Sequence, residues 1–198
     1  MRKLILATNN PDKIREIEKI LADIDIDILT MADFDDFPTV EETGKTIVEN
    51  AVLKAEAVWK RYGLPCIADD TGLEVDYLDG APGVYSSRFA GENSTYEENY
   101  RKLLSLMKTA PTGERSARFK TVIAFVDYEG KSHTAEGILE GSIAAEPRGE
   151  FGFGYDPVFI AAGTERTLAQ LLPQQKNEIS HRGLALRNIR PAILKSLR

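Results

Sequence analysis

Residues 66–72 read CIADDTG, an apolar run that ends in two adjacent carboxylates, a hydroxyl and a glycine. Two like charges side by side repel, and at the end of a buried strand they also lose water. Close carboxylates raise one pKa or recruit a cation that removes the repulsion. Hard cations such as Mg²⁺ take one or two carboxylates and leave their other positions to water and phosphate. Glu41, Glu42, Asp69 and Asp70 are the acids placed at element ends. Successive residues on a strand face opposite sides, so Asp69 goes with Ile67 and Asp70 with Ala68 if the strand persists. Thr71-Gly72 offers a turn that would bring the two acids together. The alternative is two acids that merely cap that turn.

Basic and polar residues that could meet an anion occur in three places. In ATNNPDK (7–13) a strand ends and a helix begins, with Asn10 as N-cap, Pro11 first in the helix and Lys13 in the first turn. Helix N-termini favour anions, yet ordinary capping explains the same residues. Asn50 and Lys54 lie one helical turn apart, and Ala51, Ala55 and Val58 turn that region toward protein, so Lys54 can snorkel. In QQKNEISHRGLAL (174–186) Ser180 is an N-cap that puts His181 and Arg182 in a first turn, against the macrodipole. Their donors aim at a ligand, or Arg182 pairs with a nearby carboxylate. GEFGFGYDPVF (149–159) alternates glycine with Phe151, Phe153 and Tyr155, which either stack on a flat ligand or fill the core; Phe151 is assigned to the core.

The elements that must position these residues are alternating strands and helices. Leu4 to Ala7 reads as a buried strand, and Ile14, Ile17, Ile20 and Leu21 recur at helical spacing. DIDIDI (23–28) reads as an alternating strand with a solvated aspartate face rather than a metal site. Thr46-x-x-Glu49 and Thr95-x-x-Glu98 are capping boxes that open two further helices, the first ending near Tyr62-Gly63 and the second presenting Tyr100, Leu103, Leu104 and Met107 on one face. Pro65 to Ala68 is a strand, and 72–91 is a long loop marked by glycine and proline. Phe119–Tyr128 and His133–Ile143 form a hairpin around Glu129-Gly130, and a last helix starts at Ser180. The fold class is α/β or α+β with a mixed sheet.

The chain has 198 residues, 42% hydrophobic and 28% charged, with net charge −6. That balance argues against broad nucleic-acid binding, since a duplex binder wants a basic face. Cys66 is the only cysteine and sits in an apolar run, which reads as core and fits a reducing compartment. No segment approaches a signal peptide or a membrane span, so a cytoplasmic location is expected.

Five stretches together resemble the non-canonical purine nucleoside triphosphate pyrophosphatases, also called inosine triphosphate or XTP/dITP pyrophosphatases. They are LATNNPDKIREI, EETGKTIVENAVLKA, IADDTGLEVDYLDGAPGVYSSRFAG, FGFGYDPVF and QKNEISHRGLAL, in that family's order and nearly spanning the chain. The resemblance implies one domain over 1–198: an elongated α/β structure with a long mixed sheet, flanking helices and two lobes around a central cleft, assembled as a homodimer. It implies Mg²⁺-dependent hydrolysis of ITP, dITP or XTP to the monophosphate and pyrophosphate, as house-cleaning of the nucleotide pool.

By the same resemblance, Thr8, Asn9, Asn10, Pro11, Asp12 and Lys13 hold the triphosphate, with Lys54 adding charge. Glu42 and Asp70 place the metal, Asp70 accepts the proton of the attacking water, and Asp69 supports them as a catalytic residue. Thr71 touches substrate where many relatives have serine. Phe153, Gly154, Tyr155 and Asp156 line the nucleoside site, and Lys176, His181 and Arg182 reach the substrate, Arg182 as donor to a purine 6-keto oxygen. Gln175, where glutamate is common, and TLAQL (167–171) depart from the family wording. The competing readings are a pyrophosphatase for other nucleotides and a non-catalytic nucleotide sensor.

Overall fold

Seven strands and five α-helices alternate along the chain in a computed structural model that describes residues 2–196. They are β1 (Arg2–Leu6), α1 (Pro11–Leu21), β2 (Ile26–Leu29), α2 (Ile47–Tyr62), β3 (Cys66–Val75), β4 (Pro82–Gly83), α3 (Tyr96–Leu106), β5 (Ser116–Val126), β6 (Ser132–Ile143), β7 (Phe159–Ala161), α4 (Pro173–Ile179) and α5 (His181–Ser196). The sheet is mixed, as the interspersed elements imply. Its order is β2-β1-β3-β5-β6-β7, with β4 on β3; β1 is parallel to β2 and β3, while β4 runs antiparallel to β3 and β7 to β6.

The chain forms two compact units. The first comprises residues up to Asp70, Thr121–Gly137 and the segment from His181; the second comprises Thr71–Lys120 and Ile138–Ser180. The core of the first gathers Leu4 and Leu6, Ile17 and Leu21, Ile67, Ile123 and Phe125, and Ala185, Leu186, Ile189 and Ile193. The core of the second gathers Leu73, Val75, Leu103, Met107, Phe119, Tyr155 and Phe159, with Tyr100 and Leu104 packed against it. The apolar face read on α3 is therefore the one that is buried.

Local chemistry explains the helix boundaries. Asn10 accepts from the amides of Asp12 and Lys13, Thr46 and Glu49 close a capping box on α2, and Gly63 ends it at φ 63°. Thr95 and Glu98 do the same for α3.

Three expectations need correction, and one helix stands where none was expected. β3 does not turn at Thr71-Gly72 but runs to Val75. Gly72 is needed there for close approach, since a Cβ would sit 2.8 Å from the Gly83 carbonyl oxygen of β4. The 72–91 segment is thus not a plain loop; it holds the rest of β3, β4 and two 3-10 turns. DIDIDI is strand only from Ile26, because α1 unwinds through a turn in which the Ile24 amide bonds to Leu21 O. Ile24, Ile26 and Ile28 nonetheless pack on the first core. The helix without a sequence signal is α4: Lys, Gln and Asn dominate it and no apolar period marks it.

Cys66 is fully buried on the α2 side of β3, donating to the Ala55 carbonyl at 3.0 Å, and burial pushes its thiol pKa up to about 12. An aromatic disulfide reagent at pH 8 should therefore leave the native thiol unmodified while labelling the urea-unfolded chain stoichiometrically. Equal labelling rates for native and unfolded protein would contradict a buried, protonated thiol.

Candidate functional site

Strand alternation along β3 separates the two acids. Ile67 and Asp69 face α1 and α5, where Ile67 joins the first core and Asp69 meets Lys13 and Arg182. Cys66 and Asp70 face α2, where Cys66 meets Ala55 and Asp70 meets Lys54. Because the strand does not turn, the two carboxylates do not form a clamp; each has its own cation.

On the first face Asp69 Oδ2 lies 3.1 Å from Lys13 Nζ. It also accepts from Arg182 Nε at 3.1 Å and Nη2 at 3.0 Å. Arg182 Nη1 donates to Glu16 of α1. Arg182 is only 1% exposed. Burial alone would raise the Asp69 pKa, but Lys13, Arg182 and Lys54 hold the carboxyl well below the usual range. The sign follows: a depressed folded-state pKa supplies stability above about pH 4, which is lost as pH falls further.

On the second face Lys54 Nζ donates to Glu42 Oε1 at 2.9 Å, Asp70 Oδ1 at 2.9 Å and the Asp69 carbonyl at 2.8 Å. This snorkelling lysine carries Glu42 and Asp70 on one ammonium. Burial, joined by the Glu42 charge, raises the Asp70 pKa against the pull of Lys54 and Lys13. A buried carboxyl with a raised pKa holds a proton more readily than an ordinary aspartate, as suits a proton acceptor.

Residues 8–13 show the ordinary capping that was one of the two readings of their pattern. Asn10 itself accepts from the first helical amides. Thr8 Oγ1 accepts from the Asn10 amide at 3.3 Å, Asp12 pairs with Arg15, and Asn9 and Pro11 are exposed. What the segment aims inward is Lys13. His181 and Ser180 are buried beside Arg182 in the chain. Of the two Arg182 alternatives, the carboxylate pairing is the one present in this arrangement, with Asp69 and Glu16 as its partners.

The second unit gathers its own set. Asp156 Oδ2 accepts from the Phe153 amide at 2.8 Å and pairs with Lys176 of α4, both charges being buried. Lys176 Nζ also stands 4.6 Å from the centre of the half-buried Phe153 ring, with the Tyr96 ring 5.8 Å away on the exposed start of α3. Gly152, at φ 77°, leaves no room for a side chain: a Cβ would reach within 2.1 Å of Asp156 Oδ2. Gly154 has φ 63°. Tyr155 is core, its hydroxyl donating to the Ser86 carbonyl at 2.9 Å. Phe151, assigned to the core, is 46% exposed, because the backbone turns at Gly152. Thr71 is half-buried.

Two contributors to these sets, Glu16 and Tyr96, carry little signal in the sequence. Glu16 lies one turn after Lys13 on α1, and that spacing was the available signal. Tyr96 carried no signal beyond its place inside a capping box. Among the described residues no group of three or more His, Cys, Asp or Glu could hold a metal ion. A donor set of two carboxylates still suits Mg²⁺ arriving with its own water and phosphate ligands.

Breaking a buried ion network is costly because it strands the remaining charges. Arg182→Met should lower unfolding stability by about 3 kcal/mol or more in urea titrations at pH 7, and Glu16→Gln by less. A loss below about 1 kcal/mol for Arg182→Met would show that the guanidinium does not organise this face.

Comparison with known proteins agrees with this architecture. The sequence profile of the Ham1 family matches residues 4–192. A relative from Thermoanaerobacter pseudethanolicus is 50% identical over 195 residues, 98% of each chain, and one from Porphyromonas gingivalis is 50% identical over 194; both are named dITP/XTP pyrophosphatase. Among solved structures, a HAM1 protein from Coxiella burnetii superposes with TM-score 0.88 at 43% identity, covering 98% of this chain and all of that one. The Staphylococcus aureus Ham1 protein gives 0.86 at 40% identity, with full coverage of both chains. From residue 4 to residue 192, in sequence and in fold, the chain belongs to the Ham1 family.

Proposed function

We propose that this protein is a nucleoside triphosphate pyrophosphatase that hydrolyses dITP, ITP and XTP to the monophosphate and pyrophosphate, clearing deaminated purine nucleotides from the pool. The observation that carries the reading is the pairing of Asp70, a buried carboxyl with a raised pKa, with Glu42 on the single ammonium of Lys54. Full-length similarity to relatives named dITP/XTP pyrophosphatase supports the substrate class.

The reading gives each set of residues a different part of the substrate. A nucleoside triphosphate carries close to four negative charges, and Lys13 and Lys54 would offset part of them, with the polar side chains of Thr8 and Asn9. Glu42 and Asp70 would hold the cation, taken to be Mg²⁺, which when bound neutralises phosphate charge and lowers the pKa of water. Asp70 accepts the water proton on a carboxylate oxygen as the hydroxyl oxygen attacks phosphorus and the α–β phosphoanhydride bond breaks, with pyrophosphate as leaving group. Asp69 fixes Lys13 and Arg182. Thr71 contributes a hydroxyl.

Phe153 offers an aromatic face to the base, with Gly154 and Asp156 shaping its turn and Lys176 held against the ring. Discrimination against adenine needs a donor that a 6-keto oxygen satisfies and a 6-amino group leaves unpaired. For Arg182 to be that donor it has to release part of its hold on Glu16 or Asp69; His181 and Lys176 complete the substrate-side set. Assembly as a homodimer and a cytoplasmic location complete the proposal. No described helix is long and apolar enough to cross a membrane.

The test is hydrolysis across dITP, ITP, XTP, dGTP, GTP and ATP with Mg²⁺, with pyrophosphate and orthophosphate detected separately. Pyrophosphate release from the first three, at rates roughly a hundredfold or more above ATP, is expected from the cost of an unpaired buried donor. Direct orthophosphate release, or equal rates on GTP and ITP, would overturn the reading.

A further inference from the structure

The loop that carries Glu42 is tied to helix α2 at a buried point. The Gly44 amide donates to Asn50 Oδ1 at 2.7 Å, and Asn50 is 1% exposed. The approach is so close that a Cβ on Gly44 would lie 2.5 Å from Asn50 Oδ1, 2.8 Å from Glu49 Cβ and 3.0 Å from the Asn50 amide nitrogen. Two residues earlier on the same loop, Glu42 reaches Lys54, which follows Asn50 by one helical turn. Helix α2 thus grips the loop twice: Asn50 takes its backbone at Gly44, and Lys54 takes its carboxylate at Glu42.

Asn50 Nδ2 has no hydrogen-bond partner among the described residues although it is buried. An apolar side chain would avoid that penalty. What an amide adds here is the acceptor that Gly44 uses.

We propose that Asn50 is a positioning residue for the cation site: by holding Gly44 it sets how far Glu42 extends toward Asp70, and so sets the affinity for a divalent ion. The proposal rests on the reading in which Glu42 and Asp70 hold that ion. Partners that orient metal ligands from behind commonly change metal affinity by about 10–100-fold when removed.

The test compares wild type with Asn50→Ala, Gly44→Ala, Glu42→Gln and Val58→Ala. Binding of Mn²⁺ alone is read from the free-ion paramagnetic resonance signal, the Mg²⁺ concentration for half-maximal hydrolysis is measured in parallel, and melting temperature is recorded for each. Asn50→Ala and Gly44→Ala should each weaken Mn²⁺ binding and raise the Mg²⁺ requirement by roughly tenfold or more. Val58→Ala, a core truncation elsewhere on α2, should lower the melting temperature and leave both metal constants in place. If Glu42→Gln weakens the metal while Asn50→Ala and Gly44→Ala lower only stability, as Val58→Ala does, the positioning role is overturned and the cation site stands. If Glu42→Gln changes neither constant, the cation site itself is wrong, and the proposal falls with it. Should Asn50→Ala not fold, Gly44→Ala decides alone, since it keeps the amide and displaces only the loop.

Discussion

Two carboxylates on neighbouring residues of a strand that does not bend are forced onto opposite faces of the sheet. That constraint arranges the first unit. Asp69 needs positive charge on one side, and Lys13 of α1 and Arg182 of α5 supply it. Asp70 needs it on the other, and Lys54 of α2 supplies it. Three helices distant in sequence are thereby fixed against one strand by charge as well as by the apolar side chains beside those charges, Ile67 on one face and Cys66 on the other.

The same division separates two kinds of carboxylate. Asp69 is surrounded by cations and stays ionised, because Lys13, Arg182 and Lys54 outweigh the cost of its burial. Asp70 has one ammonium, which it shares with Glu42, and burial dominates. One group is suited to holding structure and the other to exchanging a proton or meeting a cation. Environment assigns these roles to identical side chains, as expected wherever two titratable groups are pushed apart by unlike surroundings. The second unit shows a related economy: Asp156 orders the Phe153 turn through a backbone amide and holds Lys176 through charge.

Much of this was legible in the sequence. Capping boxes at Thr46 and Thr95, the Asn10-Pro11 start and the 119–143 hairpin depend on local chemistry, and they stand where that chemistry put them. That Lys54 turns inward was legible in outline, because the small side chains around it marked a face toward protein; its pairing with Glu42 and Asp70 was not. The failures were tertiary. Thr71-Gly72 looks like a turn until β4 is known to lie against Gly72. Phe151 looks like core until the backbone turns at Gly152. Which carboxylates meet Arg182 was equally hidden: Asp69 lies 113 residues away in sequence and Glu16 166. Partners that far apart leave no local period to read.

Between Asp69 and Asp70, though they are adjacent, there is a division of work. It is tested most directly by making Asp69→Asn and Asp70→Asn separately and measuring urea stability and pyrophosphate release from dITP for each. Asp70→Asn should lower turnover by about 10²–10⁴-fold, as loss of a proton acceptor does, with the smaller change in stability. Asp69→Asn should lose about 3–5 kcal/mol of stability, because it strands Lys13 and Arg182 together. The reverse pattern, with Asp70→Asn active and Asp69→Asn fully stable, would contradict the account.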